Sequence, residues 1–323
     1  MSFNPGHNYI IVNYHYVEEP APKFPGIHPC SIADFEKQIK FLSQGYQIVN
    51  VPQVFEAARS GRAGRFCSIT FDDGLKDQYQ NALPILQRHN VVASFFIITS
   101  ALEGRLPTAH RVHILLSRFS VDELVNIFHD YLREFYPDLR RQYLIPKDRR
   151  LTDRRQHEDI ATANLKETLI LLPEDIKAQF LRFCFKKLGL NAEKISQSLF
   201  MNEKHLRELG KLGMNIGSHT HNHYALDTLN EEALAKDVRL TNEILSAILG
   251  ESPSVFSYPH GRIQSAVTRI LKEEGFRYGV TIERRGIEVH DDRFLIPRYD
   301  TADVRDWLTP ANNLSGEAKN QKW

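Results

Sequence analysis

The stretch "SITFDDG", residues 68–74, places two adjacent aspartates at the end of an apolar run. Residues 68–71 have the character of a buried strand, and Gly74 has that of the turn after it. Two neighbouring carboxylates repel each other and are costly to bury. A solvated surface turn is one explanation for Asp72 and Asp73, and a functional site at the strand end is the other.

Composition limits the class of protein. The chain has 323 residues, of which 42% are hydrophobic and 25% charged, enough for one large α/β barrel or two ordinary domains. The net charge of +1 provides no global field for nucleic acid or an anionic membrane. No apolar window reaches the length of a transmembrane helix, and the N-terminus lacks the pattern of a secretory signal. We therefore expect no nucleic-acid partner and no transmembrane segment.

The cysteines favour a reducing compartment. Cys30, Cys67 and Cys184 are odd in number and widely spaced, which is typical of buried thiols and not of a disulfide framework. The cytoplasm is the expected location.

Short apolar runs alternate with amphipathic helical patterns along most of the chain. Continuous apolar runs are typical of parallel strands covered on both faces, so the alternation predicts a βα-repeated barrel or a doubly wound sheet. Ser31, Asn230 and Gly250 have the residue types of helix caps. The predicted strands are 9–14, 46–51, 66–71, 93–98, 213–218, 254–258, 277–282 and 294–299.

The alternation stops at residues 102–199, where the pattern is helical without a convincing strand. We interpret this range as a helical insertion in an α/β domain formed by 1–101 and 200–310, with a flexible tail at 311–323. The run 140–156 has seven basic residues against two acidic ones. It is either a solvated surface or a cap beside the carboxyl-end rim, where Arg140 to Arg155 bind an anionic part of a substrate.

A second unusual stretch is "GSHTHNHYAL", residues 217–226, with three histidines in five positions. His219 and His223 are four apart, so a helical turn after Ser218 would put both rings on one face, as two metal ligands require. His221 would then point elsewhere. The alternative is a polar loop with incidental histidines.

The two stretches can form one site if each follows a parallel strand of the same sheet, because the carboxyl ends of parallel strands lie at one edge of the sheet. One aspartate can then bind a metal, which removes most of the mutual repulsion, and the other can act as a general base. Two histidines, one aspartate and open positions are typical of a hydrolytic metal site.

Phe71-Asp72-Asp73-Gly74 and His219-Thr220-x-x-His223 resemble the first two motifs of the polysaccharide deacetylase family, carbohydrate esterase family four, whose members share the NodB homology domain. The resemblance implies an α/β fold, a distorted (β/α)7-type barrel, with the helical insertion outside its common core.

The same resemblance implies the roles of the motif residues. Asp72 would be the base, and Asp73, His219 and His223 would bind one divalent metal, for which zinc is expected. Thr220 would stabilise the loop that carries the histidines, residues 219–223 and called the histidine loop below, through a hydrogen bond.

The third motif of the family is R-x-P-Y-G, and the matching residues here are Ser257-Tyr258-Pro259-His260-Gly261. The resemblance implies that the His260 backbone N–H helps to stabilise an oxyanion, and that Tyr258 and Pro259 line the substrate site.

Two family residues need replacements. Ser257 stands where the arginine that steadies the base would be, and Arg298 in "LIPRYD" either takes that role or forms a salt bridge with Asp300 or another neighbour. The usual L-x-H motif for the general acid is missing, so the acid is open among His15, His260 and His290, or water with Asp72. His15 ends the first strand and is expected to line the site.

The function implied is a metal-dependent hydrolase that removes an N-acyl group, expected to be acetyl, from an amino sugar. Because no export signal is seen, we expect a nucleotide-linked or lipid-linked precursor of a surface polysaccharide. Hydrolysis of another C–N bond, in a formamide or a cyclic ureide, is one alternative. A non-catalytic carbohydrate-binding relative is the other, although retention of the ligands and the base argues against it.

Overall fold

Parallel strands with apolar residues on both faces form the central sheet. The computed structural model describes residues 6–20, 29–153 and 158–308. The strands are β1 Tyr9–Tyr14, β2 Gln47–Ile48, β3 Phe66–Phe71, β4 Ala93–Ile97, β5 Asn215–Ser218, β6 Val255–Ser257, β7 Tyr278–Val280 and β8 Tyr299–Asp300.

Helices follow most of the strands. They are α1 Ile32–Gly45, α2 Val51–Arg59, α3 Leu83–Arg88, α4 Thr99–Leu102, α5 Thr108–Leu116, α6 Val121–Phe135, α7 Ile160–Leu171, α8 Glu174–Lys187, α9 Ala192–Leu199, α10 Glu203–Lys211, α11 Glu231–Leu249, α12 Val267–Glu273 and α13 Thr301–Leu308. A π-helix, Gln78–Ala82, precedes α3, and short 3-10 turns occupy Pro137–Leu139, Leu226–Thr228 and Pro259–Gly261.

The described chain divides into two compact units. The first comprises residues 6–19, 29–105 and 196–308, and the second comprises mainly 106–153 and 158–195. The predicted tail, 311–323, lies outside the described residues, as do Arg154 and Arg155 of the predicted basic cap. Placement of that cap beside the site stays a prediction.

The sheet of the first unit is parallel and curled. Its strand order is β7-β6-β5-β4-β3-β1-β8, and β2 pairs with the start of β3 outside this order. Ile11 of β1, Phe96 of β4 and Val280 of β7 pack in one buried cluster together with α2. Strands that are distant in the order share this cluster, so it fills the concave side of the sheet. The predicted distorted barrel with a helical insertion is confirmed.

The other face of the sheet packs against helices. Ile10, Val12 and Tyr14 of β1 alternate with Ile11 and belong to a second buried cluster. Phe35, Ile39 and Leu42 of α1 also join that cluster. Both faces of β1 are therefore covered, which accounts for its continuous apolar sequence.

Six of the eight predicted strands are shorter than expected, and two of them are reduced to two residues each. Strand 46–51 ends at Ile48, because Asn50 caps α2 in a reciprocal capping box with Gln53. Strand 294–299 is reduced to β8, since Pro297 has no N–H for a continuous ladder. The segment before it still pairs with β7 through a bridge between Val280 and Ile296.

The caps read from the sequence are confirmed. The Ser31 side chain accepts a hydrogen bond from the Asp34 N–H at the start of α1. Asn230 caps α11 in the same way, and Gly250 ends that helix with a left-handed φ of 82°.

The second unit is helical, and no strand is assigned within its described residues. Ser120 and Glu123 form a capping box at the start of α6. Phe128 of α6 and Phe180 of α8 pack edge to face in its core, with ring centroids 5.1 Å apart. The apolar faces of these helices are therefore buried against one another within the unit.

Over the residues that the structure describes, we find no helix with both the length and the apolar character needed to cross a membrane. Cys67 and Cys184 are buried free thiols, and Cys30 is a partly buried one.

Gly217 of β5 is required by close packing. A Cβ at this position would lie 2.5 Å from the Phe96 ring and 2.7 Å from the Val255 carbonyl oxygen. Gly217→Ala should therefore lower the free energy of unfolding by about 1–3 kcal/mol through overpacking. Denaturant unfolding measures this change.

Gly210 supplies the matched control. It lies in α10, and a Cβ added there would meet no atom within 4 Å, so Gly210→Ala should stabilise the protein by about 0.5–1 kcal/mol. Equal stability of the two variants would show that the approach of β5 to Phe96 is not tight.

Candidate active site

The turn after β3 separates the two aspartates. The Asp72 N–H donates to the Tyr14 carbonyl at 3.0 Å and so extends the pairing of β3 with β1. Asp73 has a φ of 77° and Gly74 a φ of 72°. Two successive left-handed residues turn the chain sharply, so that each carboxylate has its own set of partners.

Asp72 forms a buried ion pair with Arg298. Arg298 Nη1 lies 3.0 Å from Asp72 Oδ1, and Nη2 lies 2.9 Å from Oδ2. Asn13 Nδ2 and Ser257 Oγ each donate to the same carboxylate at 3.0 Å. Burial opposes ionisation of Asp72, but the charge and hydrogen bonds of Arg298, with the neighbouring His219 and His15, together outweigh it and hold the pKa of this carboxyl well below its usual range. Asp72 is therefore an ionised, fully bonded carboxylate.

The guanidinium of Arg298 is itself fixed. It donates to the Thr281 carbonyl at 2.8 Å, to Asn13 Oδ1 at 2.8 Å and to Ser257 Oγ at 3.1 Å. Its ion-pair partner within the described chain is Asp72, not Asp300. Ser257, at the position of the missing motif arginine, thus contacts both members of the pair.

Asp73, His219 and His223 converge into a buried triad. Asp73 Oδ1 lies 3.5 Å from His219 Nε2 and 3.3 Å from His223 Nε2. One ligand atom from each of the three residues lies within 4.8 Å of the others. One carboxylate and two imidazoles at this spacing can hold a divalent metal ion.

The protonation of His219 suits a metal ligand. Its Nδ1 lies 2.8 Å from the Ser257 carbonyl oxygen, and since a carbonyl only accepts, Nδ1 carries the proton. Burial lowers the pKa of His219 to about 4. The ring is therefore neutral at pH 7, and the lone pair of Nε2 is directed toward the triad.

The histidine loop is not helical, so the helical turn considered after Ser218 does not form. Thr220 and His223 have φ values of 67° and 59°, and the His223 N–H donates to Thr220 Oγ1 at 2.9 Å. His221, as expected, is outside the triad: its ring lies 2.9 Å from Thr99 Oγ1 and 2.8 Å from Arg105 Nη2. A strained loop brings the two ligands together.

The remaining predicted site residues differ in their placement. His15 Nε2 lies 3.9 Å from Asp72 Oδ2, and the His15 side chain is 44% exposed. The ring of His260 lies against that of His223, with centroids 4.6 Å apart. Pro259, which precedes His260 in the chain, is buried.

Tyr258 departs from its predicted role in substrate binding. Its ring is buried among core residues, and its hydroxyl donates to the Phe294 carbonyl at 2.8 Å. The Tyr258 side chain is therefore part of the core.

Three buried polar residues of the site region were missed in the sequence. Asn13 bridges Asp72 and Arg298. The Gln78 amide donates to the carbonyls of Asp72 at 2.6 Å and His15 at 3.0 Å, and Asp237 binds the histidine loop. Asn13 had a readable signal, a lone amide inside an apolar strand, whereas the other two lie in ordinary amphipathic patterns.

Comparison with known proteins agrees with this geometry. The sequence profile of the polysaccharide deacetylase family matches residues 60–118 and 162–279, together more than half of the chain. The poly-beta-1,6-N-acetyl-D-glucosamine N-deacetylase of Staphylococcus epidermidis is 25% identical over 107 residues, which are 30% of this chain and 37% of that protein. The chain thus spans little more than a third of the length of this relative.

Solved structures share the fold. Streptococcus pyogenes deacetylase PplD, in complex with acetate, superposes with a TM-score of 0.58 at 15% identity, covering 94% of this chain and 98% of that one. IcaB from Ammonifex degensii gives a TM-score of 0.55 at 17% identity, covering 94% and 97%. Since the fold, the two sequence motifs and the match to the family profile all agree, the chain belongs to the polysaccharide deacetylase family.

Proposed function

We propose that this protein is a metal-dependent hydrolase that removes the N-acetyl group from an amino-sugar glycan. The observation that carries the proposal is the pairing of a buried Asp73–His219–His223 triad with an ionised carboxylate, Asp72, from the adjacent position. Membership of the family supports it, as does the N-deacetylase activity named for the Staphylococcus epidermidis relative.

The donor set fits a divalent metal. Asp73, His219 and His223 offer one oxygen and two nitrogens within 4.8 Å of one another, and His219 is neutral with its Nε2 free to coordinate. Three protein ligands leave positions open, as in catalytic zinc sites, so zinc is the metal we expect. A bound divalent ion supplies Lewis acidity toward water and toward a carbonyl oxygen.

Asp72 is the general base in this proposal. It accepts the proton of the water that attacks the acetamide carbon, and Arg298 keeps its carboxylate ionised and oriented. The backbone N–H of His260 is proposed to bind the developing oxyanion.

His15 is the proposed general acid. Among the candidate acids it contacts the base region directly, 3.9 Å from Asp72, and part of its side chain is open to solvent. Proton donation from His15 lets the C–N bond break with a neutral amine as leaving group, and acetate is the second product.

The substrate is proposed by chemistry and by comparison. A β-1,6-linked polymer of N-acetylglucosamine is the first candidate, because the Staphylococcus relatives are named for it. That the substrate is a nucleotide-linked or lipid-linked precursor stays a prediction. The cytoplasmic location, on which that expectation was based, also stays a prediction.

Acetate release tests the proposal. Zinc-loaded protein is incubated with β-1,6-linked N-acetylglucosamine oligomers, a nucleotide-linked N-acetylated sugar, a formamide and a cyclic ureide. We expect acetate from at least one of the two sugars and no hydrolysis of the formamide or ureide. Hydrolysis of the ureide alone would favour the other C–N hydrolase, and binding of oligomers without turnover would favour a carbohydrate-binding protein.

Two variants should separate metal binding from proton transfer. His219→Ala removes a ligand, so it should lower metal content and activity together. Asp72→Asn leaves the ligands intact but cannot accept a proton, so it should keep one equivalent of metal and lose about 10²–10⁴-fold in turnover. Metal analysis and the acetate assay measure both effects. An active Asp72→Asn enzyme, or His219→Ala protein with unchanged metal affinity, contradicts the assignment.

Removal of Arg298 should change the pH dependence. In the wild type the depressed pKa of Asp72 stabilises the fold above the unfolded pKa of about 4, and this is lost as pH falls through the folded pKa. Arg298→Met leaves a buried unpaired carboxylate, so the pKa of Asp72 should rise and the acid limb of kcat/KM should move to higher pH. The unfolding free energy at neutral pH should fall by about 3–5 kcal/mol.

Arg239→Met is the control for Arg298→Met, because Arg239 is exposed and pairs at the surface with Glu274. It should leave the pH profile unchanged and alter stability by less than about 1 kcal/mol. An acid limb that stays in place in Arg298→Met would show that Arg298 does not hold Asp72 ionised.

The leaving group tests His15. His15→Ala should lower kcat by about 10²–10⁴-fold on an acetamido sugar, whose amine needs a proton to leave. It should have little effect on an aryl acetate ester, whose phenolate leaves without one. His290→Ala, at an exposed histidine, is the control and should match the wild type on both substrates. Equal losses on amide and ester would reject His15 as the acid.

A further inference from the structure

The backbone N–H groups of the histidine loop, residues 219–223, all have acceptors, and Asp237 supplies two of them. The His221 N–H donates to Asp237 Oδ2 at 2.8 Å, and the Asn222 N–H donates to Asp237 Oδ1 at 3.1 Å. The others donate within 3.1 Å to the Ile97 carbonyl, Ser218 Oγ and Thr220 Oγ1. Among the residues that accept these five backbone N–H groups, Asp237 is the one that lies in a helix, α11.

Asp237 is buried, and the loop provides its partners. The residue is 5% exposed, and the Asn222 side-chain amide adds a third N–H donor at 2.7 Å. None of its three hydrogen-bond donors belongs to a lysine or an arginine. A buried carboxylate without a cationic partner is costly unless N–H donors satisfy it, so the bonds to the loop explain its position.

The loop needs such support because its backbone is strained. Thr220 and His223 are non-glycine residues in the left-handed region, with φ values of 67° and 59°. Conformations of this kind persist when surrounding contacts over-determine them. His223 is one of the ligands that the strain places.

The ring of His221 fastens the other side of the loop. Arg105 can only donate, so His221 Nε2 accepts from it and Nδ1–H donates to Thr99 Oγ1. The Thr99 and Ser100 N–H groups bind the Thr220 and His221 carbonyls at 3.2 and 3.0 Å. The loop is therefore held between α11 and the segment after β4.

We propose that Asp237 is a positioning residue that holds His219 and His223 in the geometry required for metal binding, and that it thereby sets the metal affinity of the site. It acts through the backbone of His221 and Asn222, which lie between the two ligands. The inference rests on the proposed function in one respect, namely that Asp73, His219 and His223 bind a metal ion.

Zinc affinity of two variants tests this role. Asp237→Ala removes all three acceptor contacts, and Asp237→Asn keeps one oxygen acceptor and places an NH₂ group against N–H donors. Competition with a chromophoric chelator measures the zinc dissociation constant of each protein. We expect a loss of about tenfold or more for Asp237→Ala, as for other groups that orient metal ligands, and a smaller loss for Asp237→Asn.

Leu245→Ala is the matched control. Leu245 is a buried residue of the same helix, and it belongs to the hydrophobic cluster that contains Ile10 and Val12. It should lower thermal stability but leave zinc affinity unchanged. Unchanged zinc affinity in Asp237→Asn, or an equal loss in Leu245→Ala, overturns the inference. If Asp237→Ala does not fold, Asp237→Asn carries the test alone.

Activity is not measured in this experiment, so the two proposals fail in different ways. A wild-type protein that binds zinc but releases no acetate rejects the deacetylase and leaves the Asp237 test valid. Zinc affinity that is insensitive to Asp237 rejects the positioning role, whatever the substrate is.

Discussion

The buried ion pair between Asp72 and Arg298 is the interaction on which the rest of the site depends. A carboxylate at the end of β3 would be strongly disfavoured in this interior unless a cation and further donors satisfied it. Arg298 also binds Asn13 and the Thr281 carbonyl. The pair therefore links the carboxyl ends of β1, β3 and β7. It also gives Asp72 partners of its own, separate from those of Asp73, so that two adjacent acids can be buried at one edge of the sheet.

Backbone strain is concentrated where the site is assembled. In the described chain, four of the five non-glycine residues with positive φ are Asp73, Thr220, His223 and His260. Each lies in one of the three motif loops, and hydrogen bonds from neighbouring elements hold these loops in place. The folding energy of the sheet and helices therefore supplies the geometry of the Asp73–His219–His223 triad.

The departure from the family pattern is resolved by position in space. Ser257 stands where the third motif has an arginine, yet a guanidinium still contacts Asp72, because Arg298 enters from the segment before β8. The small Ser257 side chain donates to Asp72 and accepts from Arg298. Parallel strands that meet at one edge can supply a cation to such a carboxylate from more than one strand.

Local chemistry made the ends of β3 and β5, the helix caps at Ser31, Asn230 and Gly250, and the candidate ligand residues readable from the sequence alone. Adjacent acids after an apolar run, histidines four apart and Ser or Asn before an amphipathic helix each have a meaning within a few residues, and the capping box at Asn50 was also readable although α2 was not predicted. The partners of Arg298, the strained form of the histidine loop and the contact of Asp237 with it were decided by tertiary structure. Arg298 and Asp72 are 226 residues apart in the chain, and hydrophobic periodicity specifies which face of an element is buried but not which polar group meets which across the fold.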